Sequence, residues 1–453
     1  MKDLIKQYMN FLDENKTERR CVATAIKMAQ ECGYKDINTV DSLKAGDKVY
    51  LNKMDKSLVL FHIGKDDISK GMNVLGAHID SPRLDAKQNP IYEDMSNKTG
   101  LVYLNTHYYG VIEKYQLLAL QLAIYGVVYK ADGTKVDIAI GDDPEDPVFC
   151  ISDILPHCAQ EQMKKTASEF IEGEKLDAIL ACYPFIRNYK DAEPKKFEAG
   201  EGKKKVLKFF EDKYGIKEED FASAELEIVP AGKSRYLGFD KTLVLGYGQD
   251  DRVCAFNSLV ALLEGETGAR TNCCILADKE EIGSAGATGM NSHLFDNAVA
   301  EVVARLSSSP NQELVVRRAL ANSYMLSSDV NTAFDPLNSN LYDSNNSSFL
   351  GRGVVFNKYT GSRGKSGASD ANPEFIAKVR GQLYANDVYF QNAELAKVDV
   401  GGGGTIAHYA AEFGMQVLDC GVSVLSMHAP WEITSAYDIE QAYKCYKAFI
   451  QLS

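Results

Sequence analysis

The sequence predicts an α/β protein: a mixed, largely parallel sheet covered by helices, interrupted by a second, smaller domain. Three observations predict it. Short apolar runs bounded by turn residues recur along the chain, as buried strands do: Val74-Leu75-Gly76-Ala77, Leu243-Val244-Leu245-Gly246, Cys273-Cys274-Ile275-Leu276-Ala277, Tyr324-Met325-Leu326 and Val422-Ser423-Val424-Leu425. Helical stretches such as 253–263 and 406–413 separate them, and strands alternating with helices favour parallel pairing with both faces covered. The middle of the chain has a different character, and 453 residues exceed one typical domain.

Taken in order, Met1-Lys2-Asp3-Leu4-Ile5-Lys6 lacks a signal-peptide core and reads as the start of an amphipathic helix. Residues 1–84 carry a helix, two strands and the motif His78-Ile79-Asp80-Ser81-Pro82. Residues 85–236 form the insertion, with strand-like alternation at 135–140 and a helix at 159–172. A charged stretch at 190–213, centred on Gly200-Glu201-Gly202, reads as a solvated loop and helix. Residues 237–453 return to the first domain with the remaining strands.

Composition narrows the function. With 50 basic and 63 acidic residues the net charge is −13, which argues against a nucleic-acid or acidic-membrane partner. No apolar run approaches the roughly 20 residues of a membrane span. The 10 cysteines lack metal-type spacing and mostly sit in apolar runs, as reduced core residues of a cytoplasmic protein do. The sequons at Asn97, Asn345 and Asn346 are then coincidental.

Each apolar run leads into a metal-type ligand. The runs reach His78, Asp250-Asp251, Glu280-Glu281, Asp329 and His428. Ligands of open α/β sheets gather at the carboxyl ends of strands, so five strands are expected to bring these side chains to one rim. Adjacent buried glutamates repel and are desolvated, and a cation compensates both costs. Two imidazoles with carboxylates and no cysteine suit zinc, cobalt or manganese.

These motifs, with Gly76-Ala77 before His78, the stretch Tyr214-Gly215-Ile216-Lys217, Asp278-Lys279 before the glutamates, and Met427 before His428, resemble the aspartyl aminopeptidase family of dinuclear zinc exopeptidases. The resemblance spans nearly the whole chain. It implies a phosphorylase/hydrolase-like catalytic domain at 1–84 and 237–453, with 85–236 as a dimerisation and lid domain whose dimers build a dodecamer. It implies two divalent ions per subunit, most simply zinc. His78, Asp250 and Asp329 would hold one and Asp250, Glu281 and His428 the other. Glu280 would be the general base and Asp80 would orient the His78 ring. The residues alone leave Asp250 and Asp251 both open as the bridge. The family pattern of one aspartate followed by asparagine selects Asp250.

The chain departs from the family after Asp329, where it reads Val330-Asn331-Thr332-Ala333-Phe334-Asp335-Pro336, and at Tyr108-Tyr109-Gly110. Both changes touch the substrate side. Lys358, in a basic loop, aligns with a substrate-side lysine and would pair an acidic first residue. His157 aligns with a histidine that reaches a neighbouring subunit's site. The implied activity is removal of single residues from peptides with a free amino terminus. A deacylase or carboxypeptidase on a related scaffold and a non-catalytic assembly protein are the alternatives. Gly401-Gly402-Gly403-Gly404-Thr405 lacks the Lys-Ser/Thr ending of a phosphate loop.

Overall fold

The computed structural model describes residues 2–94, 99–182, 200–361 and 363–453. Asn97 and the first part of the charged stretch lie outside them. The chain divides into two compact units, one of Met1–Ser81 with Ser234–Ser453 and one of Pro82–Lys233.

The larger unit is built on a nine-stranded mixed sheet. Its centre is four parallel strands in the order Thr271–Ala277, Met72–His78, Tyr324–Ser327 and Gln416–Gly421. Antiparallel neighbours Ser57–His62 and Val354–Asn357 flank that centre. The central strands read as unbroken apolar runs because both faces are covered. Leu58, Leu60, Leu75, Ala77, Cys274, Leu276 and Leu326 face one core. Val59, Phe61, Val74, Cys273, Ile275 and Met325 face the other. Successive strand residues point to opposite faces, so this alternation needs apolar residues at every position.

Helices Lys2–Glu14, Gln249–Leu263 and Ala436–Phe449 cover the first face, and Leu294–Leu306 and Gln312–Ala321 the second. The first 81 residues hold more than expected: two helices, Lys2–Glu14 and Glu18–Glu31, and four strands. The predicted stretch 406–413 shortens to a helix at Ala407–Ala411.

A second, five-stranded sheet lies in the same unit. Its order is Arg235–Leu237, Leu243–Gly246, Glu432–Ser435, Ser423–Leu425 and Asn331–Thr332. This corrects one expectation. Two of the five ligand-bearing runs, those before Asp250 and His428, belong to this small sheet and pair antiparallel there. A run of three or four apolar residues carries no mark of the sheet it joins.

The smaller unit holds a six-stranded antiparallel sheet in the order Lys135–Ile140, Leu122–Tyr129, Ala224–Pro230, Arg83–Glu93, Leu101–Tyr109 and Ala178–Cys182. Helix Glu201–Tyr214 packs Phe210 into the core of this sheet. The helix expected at 159–172 is not there. The segment forms a 3-10 turn at Gln162–Lys164 and a single helical turn at Ala167–Phe170. Between Ala159 and Ala167 the one large apolar side chain is Met163, which is 69% exposed. Without a stripe to bury, a helix of that length has no packing to hold it.

Candidate metal centre

The first half of the site is carried by adjacent strand ends. His78 closes strand Met72–His78, and Ala277, paired with it in register, leads into Asp278 and the turn Glu280–Ile282. Left-handed Lys279 and Gly283, with φ of 69° and 86°, bracket that turn and reverse the chain. Asp80 is fully buried and ties the pieces together. Its Oδ1 accepts from Glu280 N–H at 3.1 Å and its Oδ2 from Glu281 N–H at 3.2 Å.

The His78 ring donates from Nδ1 to the Asp80 carbonyl at 3.1 Å, with Asp80 Oδ1 at 3.3 Å. A carbonyl only accepts, so Nδ1 carries a proton and Nε2 is the nitrogen turned toward the centre. Nε2 stands 3.1 Å from Asp250 Oδ1, 3.9 Å from Glu280 Oε2 and 4.0 Å from Asp329 Oδ1.

The second half comes from the small sheet. Asp250 lies at the start of helix Gln249–Leu263, where its own backbone and that of Asp251 are not helical. The Asp250 carboxylate lies between both imidazoles, since its Oδ2 is 3.3 Å from His428 Nε2. His428 Nε2 is also 3.5 Å from Glu281 Oε2. The neighbouring Asp251 also faces the cluster: its Oδ2 accepts from the His78 backbone N–H at 3.3 Å, and its buried Oδ1 has no hydrogen-bond partner. Asp329 follows strand Tyr324–Ser327, and its backbone passes so close to Gly421 that a Cβ there would sit 1.8 Å from the Asp329 carbonyl oxygen.

Thus His78, Asp250, Glu280, Glu281, Asp329 and His428 come together, with Asp80 behind them. Ligand atoms of His78, Asp250 and Glu281, and of His78, Asp251 and Asp329, lie within 4.8 Å of one another. Lys358 and His157 are not in these groups. The Lys358 ammonium is half exposed and 3.8 Å from Asp370. His157 belongs to the smaller unit, exposed on a 3-10 turn Pro156–Cys158.

The electrostatics favour a cation. Burial pushes Glu280 up to about 7, with Asp80 and Asp250 adding to it against the two imidazoles. Burial likewise holds Glu281 and Asp329 well above the ordinary carboxylate range, and Asp250 or Glu280 repels each. For His78, burial opposes a charge, yet Asp250 and Asp80 hold its pKa well above the usual value. Buried Glu281 Oε1 has no hydrogen-bond partner. Buried carboxylates short of countercharge, an unpartnered oxygen and imidazole nitrogens turned toward them suit a divalent metal.

Sequence reasoning missed Glu432. It opens strand Glu432–Ser435, is 1% exposed, and accepts from Asp250 N–H at 3.1 Å and His428 N–H at 2.9 Å. Burial pushes it up to about 8, and the Asp250 charge adds to that against the two amides. The one local signal was an acidic residue four positions after a ligand histidine. Asp278 was quoted in a motif without a role. It is held by the Thr288 hydroxyl at 2.6 Å and by Lys56 at 3.8 Å, which anchors the start of the glutamate turn.

An α/β unit with imidazoles and carboxylates gathered beside its strand ends defines a metallohydrolase. A family model described as aminopeptidase I zinc metalloprotease (M18) matches residues 11–450. A probable M18 family aminopeptidase 1 of Clostridium acetobutylicum is 53% identical over 98% of this chain and 93% of its own length. A crystal structure of an aminopeptidase I from that organism superposes with a TM-score of 0.88 at 52% identity, covering 98% of this chain and 94% of the other. An M18-family aminopeptidase structure from Thermotoga maritima gives a TM-score of 0.92 at 40% identity, covering 100% and 96%.

The chain belongs to the M18 family of zinc aminopeptidases. It is a metal-dependent hydrolase of peptide bonds, and the mixed α/β fold with several mixed sheets is that of the family. The resemblance read from the motifs holds at family level, and the deacylase, carboxypeptidase and non-catalytic readings fall. No helix of the described residues is long and apolar enough to cross a membrane.

Proposed function

We propose that this enzyme uses a pair of divalent ions, most simply zinc, held by His78, Asp250, Glu281, Asp329 and His428, with Asp250 shared. The observation that carries this reading is the Asp250 carboxylate, one oxygen toward each imidazole at 3.1 and 3.3 Å. When bound, the ions supply Lewis acidity, lowering the pKa of water and polarising the scissile carbonyl.

The chain's own residues do the rest. Glu280 ligates neither ion in this scheme. It stands at the more open side of the cluster, its side chain 18% exposed against 3% for Glu281. It would take a proton from the attacking water and pass it to the leaving amine. Asp80 fixes both glutamates through their amides and the His78 ring through Nδ1, so base and ligands keep a set spacing. The substrate's free α-amine, held beside the carboxylates, limits cleavage to the first residue.

Residues 85–236 are proposed as the dimerisation and lid domain of a phosphorylase/hydrolase-like enzyme, with Lys358 reading an acidic first residue and His157 serving a neighbouring subunit. Assembly into larger particles is proposed as well, since a yeast protein of the same fold, 20% identical, is a dodecamer. The test is reconstitution with zinc, cobalt or manganese and a panel of Glu, Leu and Lys aminoacyl reporters, free and acetylated. Cleavage of free substrates alone, in proportion to bound metal, is expected. Cleavage of acetylated substrates would overturn the exopeptidase geometry.

A further inference from the structure

Both ligands of the small-sheet half sit on irregular backbone. Asp250 has ψ of 106° within a nominal helix. His428 is left-handed at φ 65°, two residues after left-handed Ser426 at 57°. A non-glycine residue held in the left-handed region is strained, so its surroundings must fix it. One buried side chain grips the backbone amides of both ligands, while the Ser81 hydroxyl donates to the Asp250 carbonyl at 2.8 Å. Glu432 Oε2 accepts from Asp250 N–H and Oε1 from His428 N–H. Its own backbone is fixed in turn. The buried Gln249 amide donates to the Glu432 carbonyl at 2.7 Å and to the Val244 carbonyl at 3.1 Å, and its oxygen accepts from Tyr8 at 3.1 Å. On the other half, Asp80 grips Glu280 and Glu281 in the same manner through two amides.

We propose that Glu432 is a positioning residue for the metal centre: one carboxylate that sets the spacing between the shared aspartate Asp250 and the ligand His428 before metal arrives. It touches neither substrate nor metal. The proposal rests on the paired-ion reading above. Glu432→Gln tests it, because an amide keeps the shape but has one acceptor oxygen and so cannot serve both N–H groups.

Metal-free wild type and Glu432→Gln are titrated with cobalt(II), following visible absorption and ions bound per folded chain. Wild type is expected to take a pair of ions. The variant should bind the ion beside His428 about 10–100-fold more weakly, as loss of an outer partner to metal ligands typically does. Its cobalt spectrum should change, and its metal-free melting temperature should stay close to wild type. Unchanged affinity and spectrum would overturn the proposal, as would a lower melting temperature with unchanged affinity per folded chain. A wild type that takes one ion would overturn the paired-ion reading itself, which separates the two failures. If Glu432→Gln does not fold, hydrogen exchange of metal-free wild type decides. Protected amides at Asp250 and His428 are expected, and exchange there as fast as in exposed loops would overturn the proposal.

Discussion

One half of the metal centre stands on the central sheet and the other on the small side sheet, and the two are stabilised differently. His78 and the Glu280–Glu281 turn leave neighbouring strands paired over seven residues, Thr271–Ala277 against Met72–His78, with both faces buried. Asp250 and His428 leave strands of four and three residues and lie on irregular backbone. In each half a buried carboxylate grips two backbone amides, Asp80 in the first and Glu432 in the second. Where the sheet is long, the carboxylate adds to a position that the ladder already sets. Where it is short, the carboxylate has more of the positioning to do.

The largest effect should come from the base. Glu280→Gln should keep its metal and lose on the order of 10²–10⁴-fold in kcat, since it removes only the proton carrier. Glu281→Gln should instead lose metal. Metal analysis beside turnover for the two variants distinguishes them, and a reversed pattern means the roles are exchanged.

Next comes Asp80→Asn, where one acceptor oxygen must replace two. Metal affinity or activity should fall about 10–100-fold. Isothermal titration with zinc would check this. If the long ladder holds the first half in place, the loss should lie nearer the lower end of that range than the loss for Glu432→Gln. A larger loss for Asp80→Asn would reverse the contrast between the halves.

A third expectation concerns the metal-free protein. Glu280 is raised to about 7 from 4.5, Asp419 to about 6 from 3.8, and Glu432 to about 8 from 4.5, each mainly by burial. The folded chain then keeps protons that the unfolded chain has lost. The stability they contribute is complete below their unfolded values and is lost as pH rises through the folded ones. His78, also raised, acts in the same direction. Asp250, held low by His428 and His78 despite burial, contributes stability that is lost only in acid, below its usual 3.8. Thermal melts should therefore show metal-free protein weakening from about pH 5 to 8. Saturating zinc should flatten that slope by replacing the protons. A melting temperature independent of pH without metal would contradict the burial argument.

The contrast between the halves also governs what was legible in the sequence. Apolar runs ending at His78, Asp278 and Asp329 do belong to central strands covered on both faces. The runs before Asp250 and His428 looked the same, because three or four apolar residues do not reveal which sheet they join. Glu432 was silent for another reason. Its role depends on Ser423–Leu425 and Glu432–Ser435 folding back as a hairpin beside Asp250, a long-range arrangement without a local pattern. Asp80 was legible because it lies in the His78 motif that carries the family resemblance. In the smaller unit the missing helix at 159–172 had helix-forming residues but no buried stripe.

The smallest effect should be at Lys358. Its ammonium is half exposed beside Asp370, so the worth of a pair with an acidic substrate is that of a surface ion pair, about 1 kcal/mol or fivefold. Lys358→Ala should lose that factor on Glu reporters and nothing on Leu reporters. Equal losses on both would show that it does not read the side chain.

The sharing of Asp250 is tested most directly by zinc-edge anomalous diffraction from zinc-loaded crystals. Two peaks about 3.5–4 Å apart are expected, one on each side of the Asp250 carboxylate. One should be near His78 and Asp329, the other near Glu281 and His428. A single peak, or a pair bridged by Asp251, would contradict it.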